Sequence, residues 1–221
     1  MPQESMTPKE RWLAVLQRKT PDRVPMDYWG TDEVMDTLMR HLGCSDPWDV
    51  YRTLHIDRVH SVRPRYAGPA LPDDYDVLGC GFRDISYGTG VYRECVFHPL
   101  AHSAGAYVFY HSDGSIRPIL PDMIAAGIDI LNPIQWRCRG MEREALKQDF
   151  GGQVILHGGV DNQFTLPFGS VDEVRAEVLE NLAVLGKGGG YILAPCHNIQ
   201  AVSPPENIVA MYETCYAAGW T

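Results

Sequence analysis

Between residues 107 and 212 the chain repeats one pattern four times: a short apolar run, a polar cluster, then a segment with helical periodicity. Tyr107 to His111 runs into His111-Ser112-Asp113, and Ile128 to Leu131 runs into Asn132 and Gln135. Val154 to His157 continues into Gly158-Gly159-Val160-Asp161, and Tyr191 to Ala194 into Pro195-Cys196-His197-Asn198. The intervening segments place Ile116, Ile119, Leu120, Met123 and Ile124, then Val171, Val174, Val178, Leu182 and Leu185, at the 3.6-residue helical period. Met141 to Phe150 reads as another helix, and Gly127 fits a C-terminal cap. Ser170 with Glu173 and Ser203 with Glu206 read as capping boxes opening the last two helices. Short connections between such units require parallel strands with helices outside. Polar side chains gathered at the carboxyl ends of parallel strands are where βα-barrels place their chemistry.

The first hundred residues are less regular. Thr7-Pro8-Lys9-Glu10 is a capping box with proline at the first helical position, and Trp12, Val15 and Leu16 give that helix an apolar face. Arg23 to Trp29 reads as a strand, Asp32 to Leu42 as a helix closing at Gly43, and Ile56 to Val62 as a second strand. Residues 63 to 99 are punctuated by Pro, Gly and Asp, and Gly88-Thr89-Gly90 between two β-prone runs suggests a hairpin. Two strands before residue 63 and four after residue 104 make six, against the eight and roughly 250 residues of a closed (β/α)₈ barrel. The expected fold is α/β, a TIM-barrel type that is incomplete. Its organisation is a single domain over 1–221: an N-terminal portion over 1–100 and four regular βα units over 101–221.

A net charge of −9 argues against a nucleic-acid or polybasic membrane partner. No segment approaches the ~18 apolar residues of a membrane span, and Met1 to Gln17 carries Glu4, Lys9, Glu10 and Arg11 rather than the apolar run of a signal peptide. Six scattered cysteines, with no Cys-x-x-Cys, are expected to be reduced thiols in a cytoplasmic setting.

These stretches together resemble the uroporphyrinogen decarboxylase superfamily, which holds the haem-pathway decarboxylase and the corrinoid-linked methyltransferases, all (β/α)₈ barrels. The resemblance is carried by Arg23-Val24-Pro25 with Trp29-Gly30, by Glu94 to Leu100, and by most of Tyr107 to Tyr212. Its most specific parts are His111 to Gly114, Gly127 to Gln135, Gly158 to Asp161 and Gly189 to Gln200. Against the family pattern, Leu100-Ala101 runs almost directly into the segment before the fifth barrel strand, so the third and fourth βα units are expected to be missing. The decarboxylase also carries an Arg-Gln-Ala-Gly-Arg stretch where this chain reads Tyr28-Trp29-Gly30-Thr31-Asp32. A substrate bearing many carboxylates needs such cations.

In the methyltransferase branch a His-x-Cys after the fifth strand and a cysteine after the last bind zinc, which activates a thiol acceptor. The resemblance therefore implies zinc on His111, Asp113 (in place of the first cysteine) and Cys196, three ligands with an open position. The alternative is structural: His111 hydrogen-bonding substrate, Asp113 capping a helix, Cys196 a buried small residue. Asn132, Gln135 and Asn198 are candidates for substrate contact, with a turn-forming role open for Asn132 before Pro133. Asp161 is a candidate general acid/base or an orienter of His111, with an Asx-turn as the alternative, and His197 is a further catalytic or metal candidate. His157, inside its strand, reads as a satisfied core histidine.

The expected function is methyl transfer between a corrinoid on a partner protein and a thiol-like small molecule. The alternatives are uroporphyrinogen decarboxylation and, from another class, a non-catalytic remnant or a subunit completed by a partner chain such as a second copy in a homodimer.

Overall fold

The structure, a computed structural model, describes residues 3–59, 70, 72–75, 81–86, 91–97 and 105–221. In chain order its elements are α1 (Pro8–Leu16), α2 (Asp32–Leu42), α3 (Pro47–Thr53), β1 (Gly81–Ser86), β2 (Val91–Phe97), β3 (Phe109–His111), α4 (Leu120–Ala125), β4 (Ile130–Asn132), α5 (Arg143–Phe150), β5 (Ile155–Val160), α6 (Thr165–Phe168), α7 (Val171–Val184), β6 (Tyr191–Pro195) and α8 (Pro205–Ala218). They fall into two compact units, residues 1–59 with 109–221 and residues 60–108. In the smaller unit β1 and β2 form an antiparallel pair. The expected Gly88–Gly90 turn, residues 60–62 of the second strand and the Leu100-Ala101 junction lie outside the described residues.

The larger unit is built on a parallel sheet of order β3-β4-β5-β6. The sheet continues past β6. The 23–30 segment forms parallel bridges at Met26↔Leu193 and Gly30↔Ile199, and the Asp57 amide donates to the Met26 carbonyl at 2.8 Å. Neither strand expected here forms as such: residues 23–30 make only isolated bridges to the β6 side, and residues 56–59 are irregular and joined to Met26 by that one hydrogen bond. An early segment lying beside the last strand is the signature of a sheet rolling toward a barrel. Among the described residues no ladder joins β3 to the Asp57 segment, so the barrel these residues form is not closed.

Local sequence explains most elements. Thr7 and Ser170 cap α1 and α7 reciprocally with Glu10 and Glu173, and Gly43 closes α2 in the left-handed conformation. The third capping box does not form. Pro204 occupies the N-cap of α8 without a side-chain bond, and the buried Ser203 hydroxyl has no hydrogen-bond partner. The double proline moves the helix start one residue past the expected serine. Pro118 and Pro121 likewise break the expected 116–124 helix into a 3₁₀ turn and the short α4.

β5 and β6 are buried along their whole length, as strands covered on both faces must be. Val15 and the partly buried Trp12 and Leu16 of α1 pack against Ile130, Ile155 and Ile192, near the amino ends of β4, β5 and β6. Each fully buried aliphatic side chain there contributes roughly 1.5–3 kcal/mol. α1 therefore covers the end of the sheet opposite the polar clusters. It is held by ions as well: Arg11 pairs with Asp22 at 2.7 Å and with the fully buried Asp57, which also accepts from Arg23 at 2.7 Å. No helix among the described residues is long and apolar enough to cross a membrane.

Candidate functional site

Parallel register brings the four strand ends to one rim. His111 pairs in register with Asn132, and Val160 with Pro195. The 23–30 segment adds Trp29, whose ring stacks on His111 with centroids 5.5 Å apart. Three metal-competent side chains converge there: one ligand atom each from His111, Asp113 and His197 lies within 4.8 Å of the others. His111 Nε2 stands 3.6 Å from Asp113 Oδ2, and the two imidazoles meet edge to face with centroids 5.8 Å apart. His111 and Asp113 are partly open to solvent, with side chains 36% and 49% exposed. Two imidazoles and a carboxylate are a ligand set of the kind catalytic zinc sites use.

Cys196 does not join this group. Its thiol is buried and donates to the Ile134 carbonyl at 3.2 Å. Burial pushes its pKa up, which keeps it a protonated, unreactive thiol. Both residues lie in the bend after β6: there the Cys196 amide bonds to the Val160 carbonyl and its side chain is buried, while His197 joins His111 and Asp113. One of the two can reach the rim, and it is the histidine.

The other expected residues are tied into the framework. Asn132 is 1% exposed, with Oδ1 at 2.5 Å from His111 Nδ1 and Nδ2 at 2.7 Å from His157 Nδ1. Both ends of its amide are thus engaged by framework histidines; the Asn132–Pro133 peptide bond is cis. Gln135 accepts from the Gly114 amide at 2.6 Å, pinning the loop after β3 to the loop after β4. Asp161 accepts from Arg137 at 2.6 Å and from the amides of Gln163 and Thr165 at 2.9 and 3.2 Å, the Asx-type arrangement that starts α6. It orients the loop after β5, while His111 takes its hydrogen bond from β4. Asn198 is exposed beside His197, free to meet a ligand through its side chain.

Asp27 went unrecognised in the sequence. It is 5% exposed, accepts from Trp29 Nε1 at 2.8 Å, and faces His157 Nε2 at 3.2 Å. His157, wholly buried, is bonded at both nitrogens, as a core histidine should be. A lone acid inside the run Val24 to Tyr28 was the available signal, because ionised groups are buried only with partners.

Comparison with known proteins follows the same lines. A family model described as uroporphyrinogen decarboxylase (URO-D) matches residues 92–218. A protein of Crocosphaera subtropica named uroporphyrinogen decarboxylase is 24% identical over 173 residues, 77% of this chain and 44% of that protein. This chain thus spans less than half the length of that relative. A solved structure of a methyltransferase from Methanosarcina mazei aligns over 96% of this chain and 99% of its own, at 16% identity and a TM-score of 0.42.

Proposed function

The chain belongs to the uroporphyrinogen decarboxylase family, and from that premise we propose that it is a methyltransferase-type member whose rim binds zinc on His111, Asp113 and His197. The carrying observation is the convergence of these three ligand atoms within 4.8 Å at the carboxyl ends of the strands. When bound, zinc supplies Lewis acidity that lowers the pKa of a coordinated thiol or water. The chain's own residues hold and orient. Trp29 supports the His111 ring from one face, and Gln135 fixes the loop carrying Asp113 through the Gly114 amide. Asn198 is the exposed polar group beside His197. The acceptor is a thiol-like small molecule, and the methyl donor is a corrinoid on a separate protein.

Decarboxylation of a porphyrinogen is the weaker reading, because Tyr28-Trp29-Gly30-Thr31-Asp32 offers no cation where many carboxylates would have to be neutralised.

Zinc titration of metal-free protein tests the site. Wild type is expected to take up stoichiometric zinc, and His111→Ala or His197→Ala to weaken it by at least about 100-fold, more than the loss of an outer hydrogen-bond partner. Cys196→Ala is expected to leave affinity unchanged. Absence of stoichiometric zinc in wild type refutes the metal centre.

A further inference from the structure

A row of buried polar groups crosses the larger unit from the 23–30 segment to the rim. Asp27 Oδ1 accepts from the Tyr28 amide at 2.9 Å, and Oδ2 accepts from Trp29 Nε1 at 2.8 Å and faces His157 Nε2 at 3.2 Å. His157 Nδ1 lies 2.7 Å from Asn132 Nδ2, and Asn132 Oδ1 lies 2.5 Å from His111 Nδ1. His157 is 0% exposed and Asn132 1%, so neither has water as an alternative partner.

Such a row has a direction. A carboxylate only accepts, so His157 Nε2 must carry a proton. A neutral imidazole has one N–H, which makes its Nδ1 an acceptor, served by the Asn132 amide N–H. The Asn132 carbonyl oxygen then faces His111 and can only accept, so the proton of His111 sits on Nδ1. Turning the Asn132 amide over would set its oxygen against His157 Nδ1 and call for a proton there. That arrangement needs protons on both nitrogens of His157, an imidazolium beside the Asp27 carboxylate, and leaves His111 Nδ1 an acceptor; it is the state that a His111 protonated at Nε2 would report. We propose that Asp27, acting through His157 and Asn132, holds His111 as its Nδ1–H tautomer and so presents the Nε2 lone pair at the rim. Asp27, His157 and Asn132 are positioning residues; none of them touches a ligand at the mouth. The arrangement does by a longer route what a carboxylate does directly behind many metal-bound histidines. Trp29 joins its two ends, donating to Asp27 while its ring lies against His111.

The consequence for zinc affinity rests on the proposed metal site, but the tautomer does not. It is therefore read in metal-free protein, by long-range ¹H–¹⁵N correlation of ¹⁵N-imidazole-labelled chain at about pH 8, above the usual histidine range. The His111 signals are assigned by their loss in His111→Gln. Wild type is expected to show His111 protonated at Nδ1, and Asp27→Asn to move it toward the Nε2–H form that a free imidazole prefers. Should Asp27→Asn not fold, His157→Phe, which keeps a ring and removes both nitrogens, is read in the same way. A wild-type His111 protonated at Nε2, or a tautomer indifferent to these substitutions, overturns the proposal. A zinc titration separates the two ideas: Asp27→Asn is expected to weaken zinc about 10–100-fold. Wild type that fails to bind zinc yet keeps Nδ1–H refutes the metal centre alone. Wild type that binds zinc with Nε2–H in the metal-free state refutes the relay alone.

Discussion

Gly158 and Gly159 show how single residues fix this rim. Both lie inside β5 and both have positive φ, +112° and +93°. A Cβ on Gly158 would sit 3.1 Å from the Ile134 backbone nitrogen, the start of the loop that carries Gln135 and receives the Cys196 thiol. Gly158→Ala therefore meets strain at a positive φ and a tight contact that the Ile134 backbone would have to shift to relieve. We expect a loss of about 2–3 kcal/mol in urea unfolding and weaker zinc binding as the rim shifts. Cys196→Ala forfeits only a buried thiol and its weak hydrogen bond, and about 1 kcal/mol is expected. The sequence made His111, Asp113 and His197 visible as candidates because each stands beside the end of an apolar run. It did not rank His197 above Cys196, since which of two neighbours in the bend after β6 turns inward is set by contacts with Ile134 and Val160, distant in sequence. Nor did it reveal Asp27, whose partner His157 is 130 residues away in sequence.

At the level of elements, capping was legible where the signal is local and failed where proline intervened. Thr7 and Ser170 cap as expected, while the Pro204-Pro205 pair displaces the start of α8. α3 had its own start signal in Asp46 and Pro47, with the Asp46 side chain accepting from Asp49, and was overlooked because so short a helix shows no periodicity. The apolar face that seats α1 was legible, but its ion pairs were out of reach, because they join Arg11 to Asp22 and Asp57 across the chain. Burial alone would raise the Asp22 carboxyl. The Arg11 guanidinium and the amides of Met6 and Ser5 outweigh it and hold the pKa at about 2. An unfolded aspartate titrates near 3.9, so the folded state binds fewer protons. The stabilisation is fully present above about pH 4 and disappears as pH falls through 2, amounting to roughly 2 kcal/mol for a side chain 8% exposed. Unfolding free energies of wild type and Asp22→Asn, from urea titration, should differ by that amount at neutral pH and converge near pH 2. A gap that persists in acid would assign the role of Asp22 to shape rather than charge.

The whole sheet differs from its parts in one respect: its protection is unequal along the stave order. β6 lies between β5 and the 23–30 segment, with the Leu193 amide donating to Pro25 and the Leu193 carbonyl accepting from Asp27, both at 2.9 Å. β3 stands at the end of the parallel sheet. Ser112 donates to Asn132, and amides two apart in a strand face the same neighbour, so those of Phe109 and His111 point away from β4. The four strands after residue 104 were readable from apolar runs alone, whereas the two expected before residue 63 reduce to isolated bridges and one hydrogen bond. That the first of those two lies beside the last strand was not readable, because register is a property of the assembled sheet. Opening free energies follow pairing and burial. Native-state hydrogen exchange should therefore place the Leu193 amide near the global unfolding limit and those of Phe109 and His111 at least about 100-fold faster. Slow exchange at Phe109 would mean that a further strand pairs with β3 in solution. If that protection falls on dilution, the strand comes from a second copy of the chain and the incomplete barrel is finished in a homodimer. If it does not, the pairing is made within one chain, and the open sheet described for this unit is the part that must be revised.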